Sequence, residues 1–112
     1  MRKLTAALVF MGAIGFQFCS TTKNAQTAPK STFEANVHPV IVANCAPCHV
    51  PPNGKRELLH TYTAAKTHID EIITRINKNP GEKGFMPFKH PKLPDSTIQV
   101  FVQWKNDGLQ EK

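Results

Sequence analysis

Residues 44–50 read NCAPCHV and place Cys45, Cys48 and His49 within one short segment. Three kinds of site use a C-x-x-C pair: a zinc site, a redox-active dithiol and a covalent haem attachment site. In the haem site both thiols add to the porphyrin vinyl groups as thioethers, and the next histidine coordinates the iron. Only this site requires a histidine directly after the second cysteine. The motif therefore predicts one haem c, covalently bound through Cys45 and Cys48, with His49 as an axial ligand.

The other uses of the cysteine pair fit the chain less well. A thioredoxin-like dithiol lies at a strand-to-helix junction of an alternating β/α chain, and no segment here shows sustained strand alternation. A structural zinc site needs four ligands, but there is no second cysteine pair, and no metal-site spacing relates the remaining histidines, which are His38, His60, His68 and His90. A disulfide between Cys45 and Cys48 would close a very small, strained loop. A thiol-disulfide oxidoreductase therefore stays as the less favoured alternative.

The N-terminal residues have the pattern of an export signal. Arg2 and Lys3 precede a mainly apolar run over residues 4–18. This run is shorter than the roughly 20 residues that a membrane-spanning helix needs, so an uncleaved anchor is disfavoured. We predict a signal peptide over residues 1–18 and an exported mature protein on the periplasmic side.

Cys19 follows the apolar run, and residues 19–31 are polar and aperiodic, as in a flexible tether. A lipoprotein signal ends at such a cysteine, although the preceding residues FQF are unusual for one. A small-x-small alternative, Ala13-x-Gly15, is also present. Two interpretations follow: a lipid on Cys19 tethers the protein to the membrane, or Cys19 is lost with the signal.

The remaining residues, 32–112, are predicted to fold as one small helical domain. Ser31 and Glu34 have capping-box spacing ahead of a first helix, which leads into Cys45. Pro39 interrupts that helix, which is either kinked or begins there. Its apolar positions are Phe33, Val37, Val40, Ile41 and Ala43.

Two further helices are predicted downstream. The second runs from about Thr63 to Asn77, and its isoleucines recur at helical spacing. The third begins near Pro94 or Asp95 and ends at Gly108. One face of the third helix carries Ile98, Phe101, Val102 and Lys105.

Residues 79–94 form a loop rich in proline and glycine that nevertheless contains Phe85, Met86 and Phe88. Met86 is the only methionine left once the signal is removed. A thioether sulfur stabilises ferrous haem iron and raises its reduction potential, which suits electron transfer. We therefore predict Met86 as the second axial ligand, with a core-filling role as the alternative. The competing ligands are His90 first, then His68 and His60.

The order of these motifs resembles that of class I c-type cytochromes. CAPCH at 45–49 follows a helix, I-x-x-R-I occupies 72–76, FMP occupies 85–87, and W-x-x-x-G occupies 104–108. The match covers essentially all of residues 32–112, the expected cytochrome c domain. The resemblance implies an all-α fold of three to four helices around one covalently bound haem, with the first and last helices crossing. It also implies that one haem edge is exposed for electron exchange.

The resemblance also implies roles for individual residues. Trp104 and Phe101 would pack against the first helix. Arg75 resembles the family arginine near a haem propionate, and an ordinary solvated helix residue is the equal alternative. We expect His49 to donate its other ring N–H to a carbonyl in residues 51–57. Residues suited either to the haem wall or to ordinary core are Leu59, Ile76, Phe85 and Phe88.

The sequence departs from the family pattern at two positions. The first helix lacks the glycine that often permits close helix crossing, so Ala35 or Ala43 must serve. Pro94 stands where the family often has a helix-capping serine, which leaves Asp95 as the cap candidate. Neither departure involves the predicted iron ligands.

Together these patterns predict an electron-transfer protein and not an enzyme. It would carry single electrons between periplasmic or membrane redox partners through a transient interface, with no small-molecule substrate. The alternative is a haem-based gas sensor in which Met86 leaves the iron. The net charge is +6, but the lysines are scattered and form no basic stripe with aromatics, so nucleic-acid binding is not indicated. A basic surface suits docking on an acidic partner.

Overall fold

The computed structural model describes residues 28–112, so the predicted signal peptide, Cys19 and most of the predicted tether lie outside the described residues. A π-helical turn, Phe33–Val37, continues into α1, His38–Cys45. Three helices follow: α2, Tyr62–Thr67, α3, Ile69–Asn77, and α4, Asp95–Asn106. Across 28–112 there is no strand, only one isolated β-bridge between Thr32 and Gln110. The described part is therefore mostly helical, in agreement with the predicted fold class.

No helix within residues 28–112 combines the length and the apolar character needed to cross a bilayer. The folded part begins at Ser31, at the end of the segment predicted to be a tether. Ser31 is buried, and its backbone N–H donates to a carboxylate oxygen of Asp107 at 2.7 Å.

The first helical segment begins differently from the prediction. Thr32, not Ser31, is the N-cap, and its hydroxyl accepts from the backbone N–H of Ala35 at 3.3 Å. Ser31 precedes the cap residue, and its backbone N–H donates to Asp107. Pro39 lies in the first turn of α1, which begins at His38 directly after the π turn, so the prediction that the α-helix has its first turn at Pro39 is confirmed. A proline lacks the N–H that an α-helical bond would need, and the wider turn ends at this point.

The predicted second helix is two helices. His68 separates α2 from α3, with φ of −101° and ψ of 9°, outside the helical region. Thr61 caps α2 through its hydroxyl, which accepts from the backbone N–H of Ala64. The buried side chains of α3 lie at the predicted helical spacing and are Ile69, Ile72 and Ile76.

The prediction for α4 needs two corrections. Asp95 is its first residue and not its cap; the carbonyl of Pro94 accepts from the backbone N–H groups of Thr97 and Ile98. Lys105 is not on the buried face, because its ammonium reaches Asp70 at 2.6 Å in solvent. The buried side chains are Ile98, Phe101 and Trp104, with Val102 half-buried.

Gly108 ends α4 as predicted, in the left-handed region at φ 95°. The backbone N–H of Leu109 donates to the carbonyl of Trp104, and that of Gly108 to Lys105. These two bonds form a Schellman motif, which satisfies carbonyls at the helix end.

Aromatic side chains join the first and last helical segments. The ring centroid of Phe33 lies 5.8 Å from that of Trp104, and Tyr62 lies 5.9 Å from Phe33. Trp104 and Phe101 are almost fully buried. The predicted contact between Trp104 and the first helical segment is therefore present. Ala35 and Ala43 are exposed, so neither is a crossing residue; larger side chains, including Val37 and Ile41, are buried instead.

The C-terminal segment closes the fold by accepting hydrogen bonds. The carbonyl of Gln110 accepts from the backbone N–H of Phe33 at 2.8 Å and from the indole N–H of Trp104 at 2.7 Å. The Glu111 carbonyl accepts from the N–H of Glu34 at 3.0 Å. N–H groups in the first turn of a helix have no partner within the helix, so these carbonyls satisfy groups that would otherwise be unpaired.

Deletion of residues 109–112 is expected to lower the free energy of unfolding by about 2–6 kcal/mol, because the four hydrogen bonds that carbonyls of this segment accept, at ~0.5–1.5 kcal/mol each, are lost. The fourth runs from the Tyr62 hydroxyl to the Leu109 carbonyl. Denaturant unfolding followed by Trp104 fluorescence measures the change. Deletion of Lys112 alone is the control, since this residue makes only an exposed ion pair with Glu34 at 3.8 Å. Equal stability of the two truncated chains would contradict the assignment.

Candidate functional site

The C-x-x-C-H motif lies at the end of α1. Cys45 is the last residue of the helix, and Ala46 turns the chain into an extended conformation. The backbone N–H of His49 then donates to the Cys45 carbonyl at 3.0 Å, which closes a turn over the motif. Cys45 is half-buried against the core and Cys48 is exposed, both as free thiols.

Burial raises the pKa of the Cys45 thiol to about 11. Thiol-disulfide exchange uses a thiolate, which reactive cysteines obtain from nearby positive charge or a helix N-terminus. Cys45 instead lies at a helix C-terminus, where the helix dipole disfavours a negative charge. Its environment therefore disfavours the chemistry of a redox-active dithiol.

The ring of His49 is oriented by a backbone carbonyl. Nδ1 lies 2.6 Å from the carbonyl oxygen of Glu57, within the 51–57 segment predicted to supply the acceptor. A carbonyl only accepts, so Nδ1 carries the proton, and the lone pair of the neutral ring is on Nε2. The carbonyl of His49 also accepts from the backbone N–H of Leu59 at 2.9 Å. His49 thus has one ring nitrogen that could hold a metal, while the other is bound to a carbonyl.

The loop that contains Met86 is attached to α3 at two points. The backbone N–H of Met86 donates to the carbonyl of Arg75 at 3.2 Å. The Arg75 guanidinium also lies 3.4 Å from the carbonyl of Gly84. Met86 is half-buried and packs against the same hydrophobic core as Cys45 and Val50. The two predicted ligand segments therefore share one core.

A cavity of about 480 Å³ opens within the Met86 loop. Met86 and its main competitor His90 both line it, so the structure places the two candidate ligands at one cavity. Phe85 is buried, whereas Phe88 is 67% exposed, with the Lys89 ammonium 5.4 Å from its ring centroid. An exposed phenyl beside a thioether gives this cavity an apolar lining. A second cavity, of about 310 Å³, is lined by Pro47, Cys48, Asn53, Lys55 and Arg56.

The remaining predicted site residues have defined places. Leu59 and Ile76 are buried members of the core. His68 lies between the carboxylates of Glu57 and Glu71, at 3.5 and 3.7 Å. Nδ1 of His60 is buried and has no hydrogen-bond partner.

Arg75 has partners on α3 and in the Met86 loop. Its guanidinium contacts the Glu71 carboxylate at 2.6 and 2.8 Å, and this hydrogen bond and charge hold the pKa of Glu71 below its usual value. The expectation of a haem propionate near Arg75 stays a prediction. The contact of Arg75 with Gly84 was not predicted. For the ion pair of Arg75 with Glu71, the only signal in the sequence is their i, i+4 spacing.

The donor set fits a covalently attached haem with histidine and methionine ligands. Two free thiols lie on one turn, the following imidazole has Nε2 available, and a thioether lies at an apolar cavity. Among residues 28–112, no three side chains of His, Cys, Asp or Glu converge as a metal site. No family model, characterised protein or solved structure matches this chain.

Replacement of Gly84 by alanine is expected to loosen the Met86 loop. Gly84 has φ 86°, and a Cβ there would lie 3.1 Å from the guanidinium nitrogen of Arg75. The left-handed conformation costs about 1–2 kcal/mol with a side chain present, and the added methyl also displaces Arg75. Amide hydrogen exchange at Met86, with denaturant unfolding, measures the effect.

Gly81→Ala is the matched control, since Gly81 has φ 94° and nothing would lie within 4 Å of its Cβ. It should lose similar backbone stability while the Met86 amide keeps its protection. Equal exchange at Met86 in the two variants would contradict the role given to the Arg75–Gly84 contact.

Proposed function

We propose that residues 32–112 form a class I c-type cytochrome domain that carries single electrons. Cys45 and Cys48 attach the haem, and His49 and Met86 are its axial ligands. The observation that carries the proposal is the hydrogen bond from His49 Nδ1 to the Glu57 carbonyl, directly after two free cysteines. It leaves Nε2 as the coordinating nitrogen, in the tautomer that a metal-bound histidine needs.

When bound, the haem supplies a one-electron ferric/ferrous couple. The role of the polypeptide is to hold both ligands in place and to limit the access of water to the haem. The Glu57 carbonyl fixes the His49 ring, and the Arg75 carbonyl fixes the backbone at Met86. Since sulfur favours ferrous iron, Met86 would raise the reduction potential. Two firmly held ligands would leave no open coordination position, which favours a carrier over an enzyme.

The raised pKa of Cys45 disfavours this residue as the attacking group of a thiol-disulfide reaction, because a thiol with a pKa of about 11 is scarcely ionised at neutral pH. A gas sensor would use the same ligands but would require Met86 to dissociate. Carbon monoxide separates the two functions: fast, complete binding to the reduced protein at neutral pH would favour the sensor.

The cellular setting is part of the proposal. The export signal would place the domain on the periplasmic side, and a lipid on Cys19 would tether it to the membrane. Redox partners would dock briefly at an exposed haem edge. Exposed basic side chains beside the two cavities, Lys55, Arg56, Lys83 and Lys89, suit an acidic partner.

The full chain, expressed with its export signal in a host that attaches haem c, is expected to retain haem after denaturation and acid extraction. The reason is that thioethers to Cys45 and Cys48 are covalent bonds. Reduced and oxidised absorption spectra of the purified protein measure the incorporation. Replacement of both cysteines by serine is the control and should give haem-free protein. Colourless or acid-extractable wild-type protein would refute the cytochrome proposal.

Met86→Ala is expected to abolish the sulfur-to-ferric-iron charge-transfer band and lower the reduction potential, while covalent haem remains. Loss of the thioether removes the donor that favours ferrous iron. Absorption spectroscopy and redox titration measure both changes. His90→Ala is the matched control from the same cavity and should keep the band. A wild-type protein without this band, whose spectrum changes in His90→Ala but not in Met86→Ala, would reassign the ligand to His90.

A further inference from the structure

A chain of ionisable side chains connects the two ligand-bearing segments. The carbonyl of Glu57 accepts from the His49 ring, and the carboxylate of Glu57 lies 3.5 Å from Nε2 of His68. Nδ1 of His68 lies 3.7 Å from the Glu71 carboxylate. One imidazole thus contacts carboxylates from two different elements.

The chain continues along α3 to the Met86 loop. Glu71 contacts the Arg75 guanidinium at 2.6 Å, and Arg75 reaches the carbonyl of Gly84. The carbonyl of Arg75 itself accepts from the backbone N–H of Met86. Glu71 and Arg75 are spaced by four and lie on one face of α3, and His68 contacts Glu71 from the position just before this helix.

We propose that His68 is a positioning residue and that the chain Glu57–His68–Glu71–Arg75 holds the His49 and Met86 segments in register. The description of His49 and Met86 as haem ligands rests on the proposed function. The contacts along the chain do not depend on it. His68 is neither of the two favoured ligands, and within residues 28–112 no hydrogen bond or ion pair joins it directly to His49 or Met86. Its two ring nitrogens face carboxylates at 3.5 and 3.7 Å, which argues against His68 as an iron ligand.

The expected effect of removing His68 on local opening is small, because the side chains in this chain of contacts are partly exposed to solvent. The side chains of His68 and Glu57 are 30% and 63% exposed. Exposed ion pairs are weak, so loss of one link should change a local opening equilibrium by about two- to fivefold and leave the fold intact. Removal of the His68 side chain should increase local opening in both the His49 and the Met86 segments, because His68 lies in the middle of the chain of contacts.

The test compares His68→Ala with the wild-type holoprotein by two measurements. Hydrogen exchange of the Met86 amide and of the His49 ring N–H in the reduced protein should both accelerate by about two- to fivefold. The apparent affinity of the ferric haem for added imidazole, which competes with Met86, should rise by a similar factor. The spectroscopic signature is a shift of the His49 ring N–H resonance.

Two further variants sharpen the test. Glu57→Gln removes the charge of Glu57 but keeps its backbone carbonyl. Combined with His68→Ala, it should accelerate hydrogen exchange no more than either substitution alone. Asp70→Asn is the control, because it breaks an ion pair of α3 with Lys105, outside the chain. Unchanged exchange in His68→Ala, additive effects in the double variant, or the same changes in Asp70→Asn would each overturn the proposal.

The test also separates the two proposals. A wild-type protein that lacks covalent haem refutes the cytochrome function. Exchange at the Met86 amide and the His49 ring N–H is still measurable in that protein and decides the positioning role. A haem-containing protein whose exchange is insensitive to His68 keeps the cytochrome function and overturns the positioning role.

Discussion

The fold depends on one backbone carbonyl. The oxygen of Gln110 accepts from both the indole of Trp104 and the first N–H of the initial helical turn. Trp104 is the largest buried side chain and would leave its N–H unpaired without this acceptor. A domain as small as this one buries only a thin core. A carbonyl that binds both the buried Trp104 and a helix end therefore contributes a large share of its stability.

The candidate site lies on loops that this core holds in place. His49 is fixed by the loop between α1 and α2, and Met86 by its attachment to α3. Leu59 and Ile76 anchor those two regions in the core. Loops positioned by a rigid scaffold often carry function, and here the polar contacts decide where each loop lies.

Periodic apolar residues predicted the helices well, because burial of a helix face leaves a pattern in the sequence. The C-x-x-C-H motif located the site, and the acceptor for His49 was predicted to the correct segment. At Ser31 and His68 the structure has partners, Asp107 and Glu57, that local sequence does not reveal, whereas the error at Asp95 is a shift of one residue at a helix end. The chain of ionisable side chains through His68 was missed because Glu57 is distant in sequence.

Closure by the C-terminal carbonyls bears on the order of events during synthesis. Ser31 and Asp107 are separated by 76 positions, so the first helical segment gains its C-terminal partners only after residues 107–111 have been synthesised. Until then Cys45 and Cys48 belong to a chain whose aromatic cluster is incomplete. A thiol that is half-buried in the finished protein is accessible during that interval, when a covalent modification would meet the least steric hindrance.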